Sequence, residues 1–433
     1  MNRRRYVFAS VASVAGFAFD LFDLFILLYL ASTLGPLFFP SASPTLSLAA
    51  VYASFAVSLL MRPAGSVVFG PLNDRFGRRR MMRLTVLGVG VSTALMGAVP
   101  TYEASGLFGP LIFILLRLVQ GLFVGGVVAS THTLATETVP ERWRGLVSGL
   151  ITGGGAGVGA VLASLTFLIL SYVFPGDSFD AWGWRVMFFT GLLGAGISFL
   201  ILHKVEESPM WQEQIAKKGA KPAPVRLLFR APHLRITLAS VLVGSALGAS
   251  YYLTSGYLPT FFAEINELPG SSAGRLLIWV NLIVVPATLL TGHLSQSIGR
   301  RRVFLIFGGA NIVMLPLLYW LMAGRGPGDE LQILLLGLVL AFFGNAVYGP
   351  ALVYFNERYP TEMRATGTAI CWNFGFAIGG TMTTFVSLTS PTIADIPSRL
   401  MVFLAVWSVV LVVAVVLSRE TRGTLADRSV ERT

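Results

Sequence analysis

Residues 70–80 read Gly-Pro-Leu-Asn-Asp-Arg-Phe-Gly-Arg-Arg-Arg, and residues 292–302 repeat the pattern as Gly-His-Leu-Ser-Gln-Ser-Ile-Gly-Arg-Arg-Arg. A second pattern, Glu-x-x-Pro-x-x-x-Arg, occurs at residues 137–144 and again at residues 357–364. The two repeats are offset by 222 and 220 residues, respectively. Two unrelated motifs at nearly the same offset indicate that the chain is an internal duplication of two similar halves.

The composition places both halves in a membrane. Of the 433 residues, 54% are hydrophobic and 12% are charged, and the charged fraction is about half that of an average soluble protein. Twelve apolar runs of about 20 residues are each long enough to cross a hydrocarbon core. Such runs form helices because lipid offers no hydrogen-bond partner to the backbone. We therefore predict an all-α integral membrane protein with twelve transmembrane helices in two pseudo-symmetric six-helix bundles.

The net charge of +11 reflects topology rather than a nucleic-acid partner. If the apolar runs cross the bilayer alternately, 26 of the 32 Lys and Arg residues lie on one side. Short loops rich in Lys and Arg stay in the cytoplasm. We therefore expect a multi-pass protein of the inner membrane with both termini cytoplasmic and an uncleaved first span, because no small-residue cleavage site follows a short apolar region.

The predicted halves are separated by a polar segment. We assign residues 1–203 to the first bundle, 204–233 to a cytoplasmic linker, 234–418 to the second bundle and 419–433 to a cytoplasmic tail. The linker is too short to fold as a domain of its own. We expect a monomer in the lipid bilayer.

The sequence offers no constellation for catalysis or metal binding. The only cysteine, Cys371, excludes an internal disulfide and a thiolate metal cluster. The four histidines, at positions 132, 203, 233 and 293, lie on separate elements. We therefore predict no enzyme activity, no metal and no cofactor.

Four ionisable residues lie inside predicted spans, where an unpaired charge is expensive. Asp20 and Asp23 are three residues apart and share one face of the first helix. Two close carboxylates raise each other's proton affinity, which suits proton coupling; the alternative is a static partner for an arginine. Arg117 lies at a similar depth to Asp23, so we predict proton coupling through a pair between them. Arg62 and Arg117 are also candidates to bind a substrate carboxylate, unless they form only structural ion pairs.

Polar and aromatic residues mark spans seven, ten and eleven. Such residues either line a substrate cavity or link helices by hydrogen bonds. Together with the two arginines, we predict that substrate is bound by Tyr251, Tyr252, Asn345, Tyr348, Trp372 and Asn373.

Two glycine-rich runs lie inside predicted spans, at residues 153–159 and 375–380. No strand precedes either run, so a phosphate-binding loop is excluded. Both runs instead predict close helix crossings.

The loop at residues 70–80 resembles the signature loop of the major facilitator superfamily. Arg117-Leu-Val-Gln-Gly121 is similar to the second motif of that superfamily. Further segments resemble its metabolite–proton symporter branch and the neighbouring symporters for sialate, lactate and aromatic acids. These segments are Asp20-Leu-Phe-Asp23, Met61-Arg62-Pro63, Trp182-Gly-Trp-Arg185, Glu207-Ser-Pro-Met-Trp211 and Tyr251-Tyr-Leu-Thr-Ser-Gly-Tyr-Leu-Pro259.

The resemblance implies that the loop motifs stabilise the outward-facing arrangement of the halves through carboxylate–guanidinium pairs. The alternative is that the arginines only set topology. Gln296 and Ser297 replace the acid and the arginine in the second copy, so we expect a weaker lock there. The predicted conformational lock comprises Gly70, Asp74, Arg75, Gly77, Arg78, Glu137, Arg144, Glu357 and Arg364.

These features predict a secondary transporter. We expect proton-coupled symport, by alternating access, that takes up a small organic anion such as a carboxylate. The alternative is a proton-coupled exporter of a metabolite or drug. Exporters of the superfamily usually carry a Gly-Pro pair in a glycine motif on span five, and residues 153–159 contain no proline.

Overall fold

The computed structural model describes residues 3–76, 78–138, 141–204, 225–231, 233–359 and 364–424, which form helices and connecting turns. Side chains are described in these ranges except at 3–13, 70–71, 73–80, 82, 127–138, 197–204, 225 and 365. The helices α1 to α6 of the first half are Arg3–Tyr29, Pro44–Phe76, Arg78–Gly97, Phe108–Thr138, Glu141–Val173 and Trp184–Lys204. The helices α7 to α12 of the second half are His233–Glu264, Gly270–Ile298, Arg300–Ala323, Pro327–Glu357, Arg364–Thr389 and Ile396–Val416.

The helix lengths fit a membrane. Among the described residues, nine helices are long and apolar enough to cross a bilayer, and a bent pair makes a tenth. That pair consists of α1 and the short helix Ala31–Phe38, which meet at 58°. Arg83–Gly97 within α3 is a shorter apolar helix, and α6 completes the set of twelve. The predicted fold class is confirmed, whereas most of the predicted linker lies outside the described residues.

The two halves use the same helix pairings. In the first half α1 packs against α5, α2 against α4 and α3 against α6. In the second half the equivalent helices pair in the same way, α7 with α11, α8 with α10 and α9 with α12. The halves meet along α2 with α11 and along α5 with α8. The duplication read from the loop motifs is therefore also a duplication of packing.

Several spans contain irregular turns. A π-helical segment, Leu150–Gly154, interrupts α5, and another, Tyr252–Gly256, interrupts α7. In α10 the residues at 347–350 form a turn before the short helix Ala351–Glu357. Such interruptions are tolerated in membranes only where neighbouring protein satisfies the backbone. Residues at 251–256 and 345–351 are all buried, as this requires.

Large apolar side chains cover the outside of both bundles. Leu193 is 67% exposed, Val313 64% and Trp320 62%. Arginine, aspartate, asparagine and hydroxyl side chains are instead found among the buried residues. This distribution is stable in lipid, because the hydrocarbon solvates the apolar surface and the polar groups pair inside the bundle.

The glycine-rich runs lie where helices cross closely, as predicted. A methyl group on Gly375 of α11 would lie 2.6 Å from the carbonyl carbon of Gly244 on α7. A methyl group on Gly153 of α5 would lie 1.9 Å from Oγ1 of Thr288 on α8. The second crossing joins the two halves, so small residues are required at their interface.

The sole cysteine is enclosed at the contact between α11 and α7. Cys371 is fully buried and free. Its Sγ lies 3.0 Å from the hydroxyl of Tyr359 and 4.0 Å from the carbonyl oxygen of Thr237.

We expect Gly125→Ala to destabilise the first half, because the new methyl group would lie 2.0 Å from the carbonyl oxygen of Arg62. Overpacking of this kind costs about 1–3 kcal/mol. Gly309→Ala on α9 is the matched control, since nothing lies within 4 Å of its added carbon. Thermal unfolding of the detergent-solubilised protein should separate the two variants. Equal melting temperatures would contradict the close approach of α2 and α4.

Candidate functional site

Four charged side chains meet in the middle of the first half. Asp20 and Asp23 of α1, Arg62 of α2 and Arg117 of α4 are 9%, 7%, 6% and 2% exposed, respectively. Charges at this depth persist only if they pair, hydrogen-bond or receive a ligand. The structure therefore brings together all four ionisable residues that the sequence singled out.

Asp23 is held by side chains from α3 and α4. Thr93 donates to its Oδ1 and Gln120 to its Oδ2. Gln120 also donates to Oγ1 of Thr93 at 2.7 Å, and its own oxygen accepts from Nη1 of Arg117 at 2.5 Å. Arg117 thus reaches Asp23 through Gln120 rather than in the direct pair that the sequence suggested.

Arg117 and Gln120 are three residues apart on α4, so they share a helix face and act on the same carboxylate. Arg117 also lies over the ring of Phe55, 5.8 Å from its centroid. Its Nε has no hydrogen-bond partner. Gln120 therefore holds Nη1 of the guanidinium, and Nε remains without a partner.

Asp20 and Arg62 form a looser pair. The Nη1 of Arg62 lies 3.7 Å from Oδ2 of Asp20, which is beyond hydrogen-bond distance. That Oδ2 and the Nε of Arg62 are both buried without a hydrogen-bond partner. Buried polar atoms are rarely left unsatisfied in proteins, and those that are call for an explanation such as a ligand.

The second half presents an aromatic cluster toward these charges. Tyr251 lies edge-on to Tyr252 and is tilted against Tyr348, with ring centroids 5.3 and 5.5 Å apart. Trp372 stacks on Phe376 at 4.4 Å. Tyr251 and Tyr252 are close enough to Asp20 and Arg62 to interact electrostatically. The aromatic cluster therefore forms the opposite wall of the charged site.

The polar atoms of this wall fall into two groups. Tyr348 donates to the carbonyl oxygen of Leu247, and Asn345 donates to Ser255 at 3.0 Å. These two side chains link α10 to α7. By contrast, the hydroxyl of Tyr251 is buried without a partner, and so is Oδ1 of Asn373.

Asn373 nevertheless bridges the halves. Its Nδ2 lies 3.4 Å from Oγ of Ser66 on α2. Ser66 in turn donates to the carbonyl oxygen of Gly125 on α4. The contact connects α11 with the helix pair that carries Arg62 and Arg117.

Among the described residues, hydrogen bonds join the two halves at both ends of the site. At the end opposite the start of α1, called the far end, the hydroxyls of Tyr52 and Thr260 lie 2.7 Å apart. At the end where α1 starts, called the terminus end, Ser148 accepts from the backbone of Val353 at 3.2 Å. These two contacts, called the far gate and the terminus gate, join the halves on either side of the site.

The terminus end of the second half carries a buried ion pair. Arg300 of α9 and Glu357 of α10 approach to 3.1 Å, and both side chains are 1% exposed. Arg300 also donates to Gln296 at 2.8 Å, and Thr421 donates to Glu357 at 2.8 Å. Gln296 therefore belongs to the hydrogen-bond network of this ion pair even though it replaces the acid of the first loop.

The segment after α12 caps α9. The carboxylate of Glu420 accepts from the backbone nitrogens of Arg300 at 2.9 Å and Arg301 at 3.1 Å. A carboxylate at this position satisfies free backbone N–H groups and complements the helix dipole. This approach requires glycine at position 299. Gly299 has a φ of 100°, and a Cβ atom added there would lie 2.5 Å from Oε2 of Glu420.

Other predicted lock residues are only partly visible. Arg364 donates from Nε to the carbonyl oxygen of Asn356 at 3.1 Å. Nε and Nη1 of Arg144 are buried without a partner among the described residues. Gly77 and the side-chain positions of Gly70, Asp74, Arg75, Arg78 and Glu137 lie outside the described part of the chain.

Sequence reasoning missed three members of these networks. Thr93 and Gln120 donate to Asp23, and Arg300 pairs with Glu357, one of the predicted lock residues. Gln120 lies within the motif of span four, so that motif contained a usable signal. Nothing in the sequence distinguishes Thr93 from other hydroxyls of the spans. Within the described residues no three His, Cys, Asp or Glu side chains cluster to hold a metal.

Two six-helix halves enclosing a buried charged site define a membrane transport protein. The chain belongs to the Major Facilitator Superfamily, whose sequence profile matches residues 8–384. It is therefore a transporter of small molecules and not an enzyme.

Named relatives agree with this assignment. The inner membrane metabolite transport protein YhjE of Escherichia coli is 30% identical over 393 residues, covering 89% of this chain and 88% of that protein. The glycine betaine/proline/ectoine/pipecolic acid transporter OusA of Dickeya dadantii is 28% identical over 362 residues, covering 81% and 71%. The proton:xylose symporter XylE of Escherichia coli, bound to 6-bromo-6-deoxy-D-glucose, has the same fold, with a TM-score of 0.77, 18% identity and 98% coverage of both chains.

Proposed function

We propose that the protein is a proton-coupled symporter that takes up a small solute bearing a carboxylate. The observation that carries the proposal is the set of unsatisfied buried atoms on Asp20, Arg62, Arg117 and Tyr251. Arg62 and Arg117 offer free guanidinium N–H groups for a carboxylate, which guanidinium binds with matched geometry. The hydroxyl of Tyr251 offers one more hydrogen bond from the opposite half.

A substrate at this place would touch both halves. Arg62 and Arg117 belong to the first half and Tyr251, Trp372 and Asn373 to the second. Binding therefore favours arrangements in which the halves are close, as alternating access requires. Asn345 and Tyr348 also link α10 to α7, because Nδ2 of Asn345 donates to Ser255 and the hydroxyl of Tyr348 donates to the carbonyl oxygen of Leu247.

The proton is proposed to bind at Asp20 or Asp23. Asp23 is bonded to two neutral side chains and reaches Arg117 only indirectly. Asp20 lies at salt-bridge distance from Arg62 but without a hydrogen bond. A substrate carboxylate that draws Arg62 or Arg117 away would leave a carboxylate less compensated and so favour its protonation. Substrate and proton would then bind together, which is symport.

The orientation in the membrane follows from charge. We propose that both termini face the cytoplasm of a bacterial cell and that the membrane is the inner membrane, because the basic loops lie on the terminus end. YhjE is named as an inner membrane protein. The unit of function is proposed to be the monomer, with residues 1–203 and 234–418 as the two moving bundles.

Uptake into proteoliposomes tests the proposal. Labelled monocarboxylates, dicarboxylates and zwitterionic carboxylates would be supplied with an inward proton gradient, with a sodium gradient and with neither. We expect accumulation of at least one carboxylate only with the proton gradient, abolished by a protonophore. Accumulation driven by sodium, or release of preloaded solute against an opposing proton gradient, would contradict proton-coupled uptake.

Tyr251→Phe should weaken substrate binding without destabilising the fold, because the hydroxyl has no partner in the protein. A hydrogen bond to a charged ligand is worth about 1.5–3 kcal/mol, so the Kd should rise by about 10-fold or more. Tyr319→Phe is the matched control, since the buried hydroxyl of Tyr319 donates to the carbonyl oxygen of Leu253 at 2.6 Å. The control should lower the melting temperature and leave the Kd unchanged. If the Kd is unaffected by Tyr251→Phe, Tyr251 lies outside the substrate site.

A further inference from the structure

A small cavity in the first half adjoins the charged site. Its volume is about 30 Å³, and α1, α3 and α6 line it. One water molecule needs about 10–15 Å³ of such space. Asp20 and Asp23 form the polar part of the lining. The cavity is thus large enough for water and polar enough to hold it.

Small residues create this space. Gly90 of α3 and Gly191, Gly194 and Ala195 of α6 line it opposite α1. A methyl group on Gly194 would lie 3.4 Å from Phe19 and 3.6 Å from Phe22, which are ordinary contact distances. The position therefore has room for the methyl group of an alanine side chain.

A second observation points to an occupant. Asp20 is more than nine-tenths buried, and its Oδ2 has no hydrogen-bond donor. A carboxylate oxygen beside a cavity of this size is satisfied by a water molecule, which needs two to four polar partners. Asp20 and Asp23 both contribute lining to the cavity and can supply them.

The cavity extends toward the terminus end. Gly16 and Val86 line it and are partly exposed, whereas Asp23 is buried. Gly16 precedes Asp23 by seven residues, or roughly 10 Å along a helix. The lining comes entirely from the first half, and none of the aromatic cluster of the second half belongs to it.

We propose that this cavity is a water site that carries protons between the Asp20–Asp23 carboxyl groups and the terminus end, apart from the route of the substrate. The inference rests on the proposed proton coupling. A protonated carboxyl group would give its proton to the water while that water passes one of its own protons to a further water molecule toward the terminus end. At each transfer one O–H bond breaks and one forms, so only protons move.

The other ionisable neighbours of these carboxyl groups do not belong to the lining of the cavity. Arg62 of α2 and Arg117 of α4 act on Asp23, and Tyr251 and Tyr252 of α7 lie near Asp20. On α6, the residues that line the cavity are Gly191, Gly194 and Ala195, none of which carries a polar side chain. Substrate would therefore meet these carboxyl groups through Arg62, Arg117 and Tyr251, whereas water would meet them from the cavity lined by α1, α3 and α6.

Three variants of α6 test the proposal in proteoliposomes. Gly194→Ala fills the space with a methyl group and should slow proton-driven uptake by about 100-fold, the scale of a lost positioned proton transfer. Substrate counterflow without a gradient should be unchanged. Gly194→Ser places a hydroxyl there, which can accept and donate a proton, and should restore proton-driven uptake. Gly196→Ala, with nothing within 4 Å of its added carbon, should behave as wild type.

An infrared titration of the purified protein provides a readout that needs no transport. A buried carboxyl group that loses its water partner in Gly194→Ala should absorb at higher wavenumber, and Gly194→Ser should reverse the shift. Should Gly194→Ala fail to fold, Val86→Ile fills the same cavity from α3 and is measured in its place.

The outcomes separate the two proposals. The water site is wrong if Gly194→Ala matches Gly196→Ala in both assays, or if Gly194→Ser is as defective as Gly194→Ala. If the wild type shows no proton-driven uptake, the proposed symport fails. In that event a carboxyl band that responds to Gly194→Ala still supports the water site, and an unresponsive band rejects it.

Discussion

Asp23→Asn is expected to abolish proton-driven accumulation while substrate counterflow continues. The amide cannot take up and release a proton, so the coupling step is lost. The loss should be about 100-fold or more, since positioned proton transfer contributes factors of this size. Exchange of labelled for unlabelled substrate needs only the movement of the loaded protein, and it should persist.

The hydrogen bonds to Asp23 explain why Asp23→Asn should also lower the stability of the protein. Thr93 and Gln120 both donate to the carboxylate of Asp23. An amide has one accepting oxygen, so one donor would face the NH2 group. We expect a modest loss of stability, on the order of 1–3 kcal/mol for an unsatisfied buried group.

Asp20→Asn is the comparison variant. It removes the carboxylate that lies within salt-bridge distance of Arg62. If Asp23 carries the proton, Asp20→Asn should mainly alter substrate affinity and keep some accumulation. If Asp23→Asn still accumulates substrate and Asp20→Asn does not, the proton site is Asp20 instead. If both variants accumulate normally, proton coupling through α1 is excluded.

Glu357→Gln is expected to produce the largest loss of stability. It leaves the guanidinium of Arg300 buried with its charge uncompensated, since both side chains are 1% exposed. Breaking a buried pair by removing one partner costs about 3–5 kcal/mol. The pair joins α9 to α10 at the terminus end, so its loss should destabilise the helix arrangement described here. Thermal unfolding and the apparent substrate affinity should both report the change.

A double substitution and an exposed pair supply the controls. Replacing Arg300 and Glu357 together by uncharged residues removes both buried charges and should be less harmful than Glu357→Gln alone. Arg275 and Glu330 also form a pair, at 3.4 Å, but their side chains are 50% and 37% exposed. Glu330→Gln should change stability by less than about 1 kcal/mol. Equal effects of Glu330→Gln and Glu357→Gln would contradict a structural role for the buried pair.

The fold was predictable because the features that indicate it are short sequence patterns that occur in both halves. Apolar run length follows from bilayer thickness, and the paired loop motifs reveal the duplication. The structure adds that equivalent helices pair in the same way in each half. Which helices pack together depends on the residues on each helix face. The length of an apolar run does not define those faces.

The site was only partly predictable. Sequence depth placed Asp23 and Arg117 at one level, but it could not show that Gln120 would come between them. Side-chain length and rotamer decide which of these residues contacts Asp23, whereas sequence spacing shows only which residues share a helix face. Likewise, the loop at residues 292–302 did not reveal that Arg300 would pair with Glu357, because Glu357 lies on α10, 57 residues later.

Asn345 illustrates the opposite difficulty. An asparagine inside a span suggests a substrate contact or a link between helices with equal force. Its two hydrogen bonds, to Ser255 and to the carbonyl oxygen of Ala341, favour the link. Only the positions of neighbouring atoms separate these roles.

The enclosed position of Cys371 makes the natural protein a ready background for spectroscopy. A thiol with no exposed surface, packed beside Tyr359, is shielded from maleimide and nitroxide reagents. Probes could therefore be attached to introduced cysteine pairs at the far and terminus ends without first removing the native thiol. Distances between such probes would follow the opening of each gate in an otherwise unaltered chain.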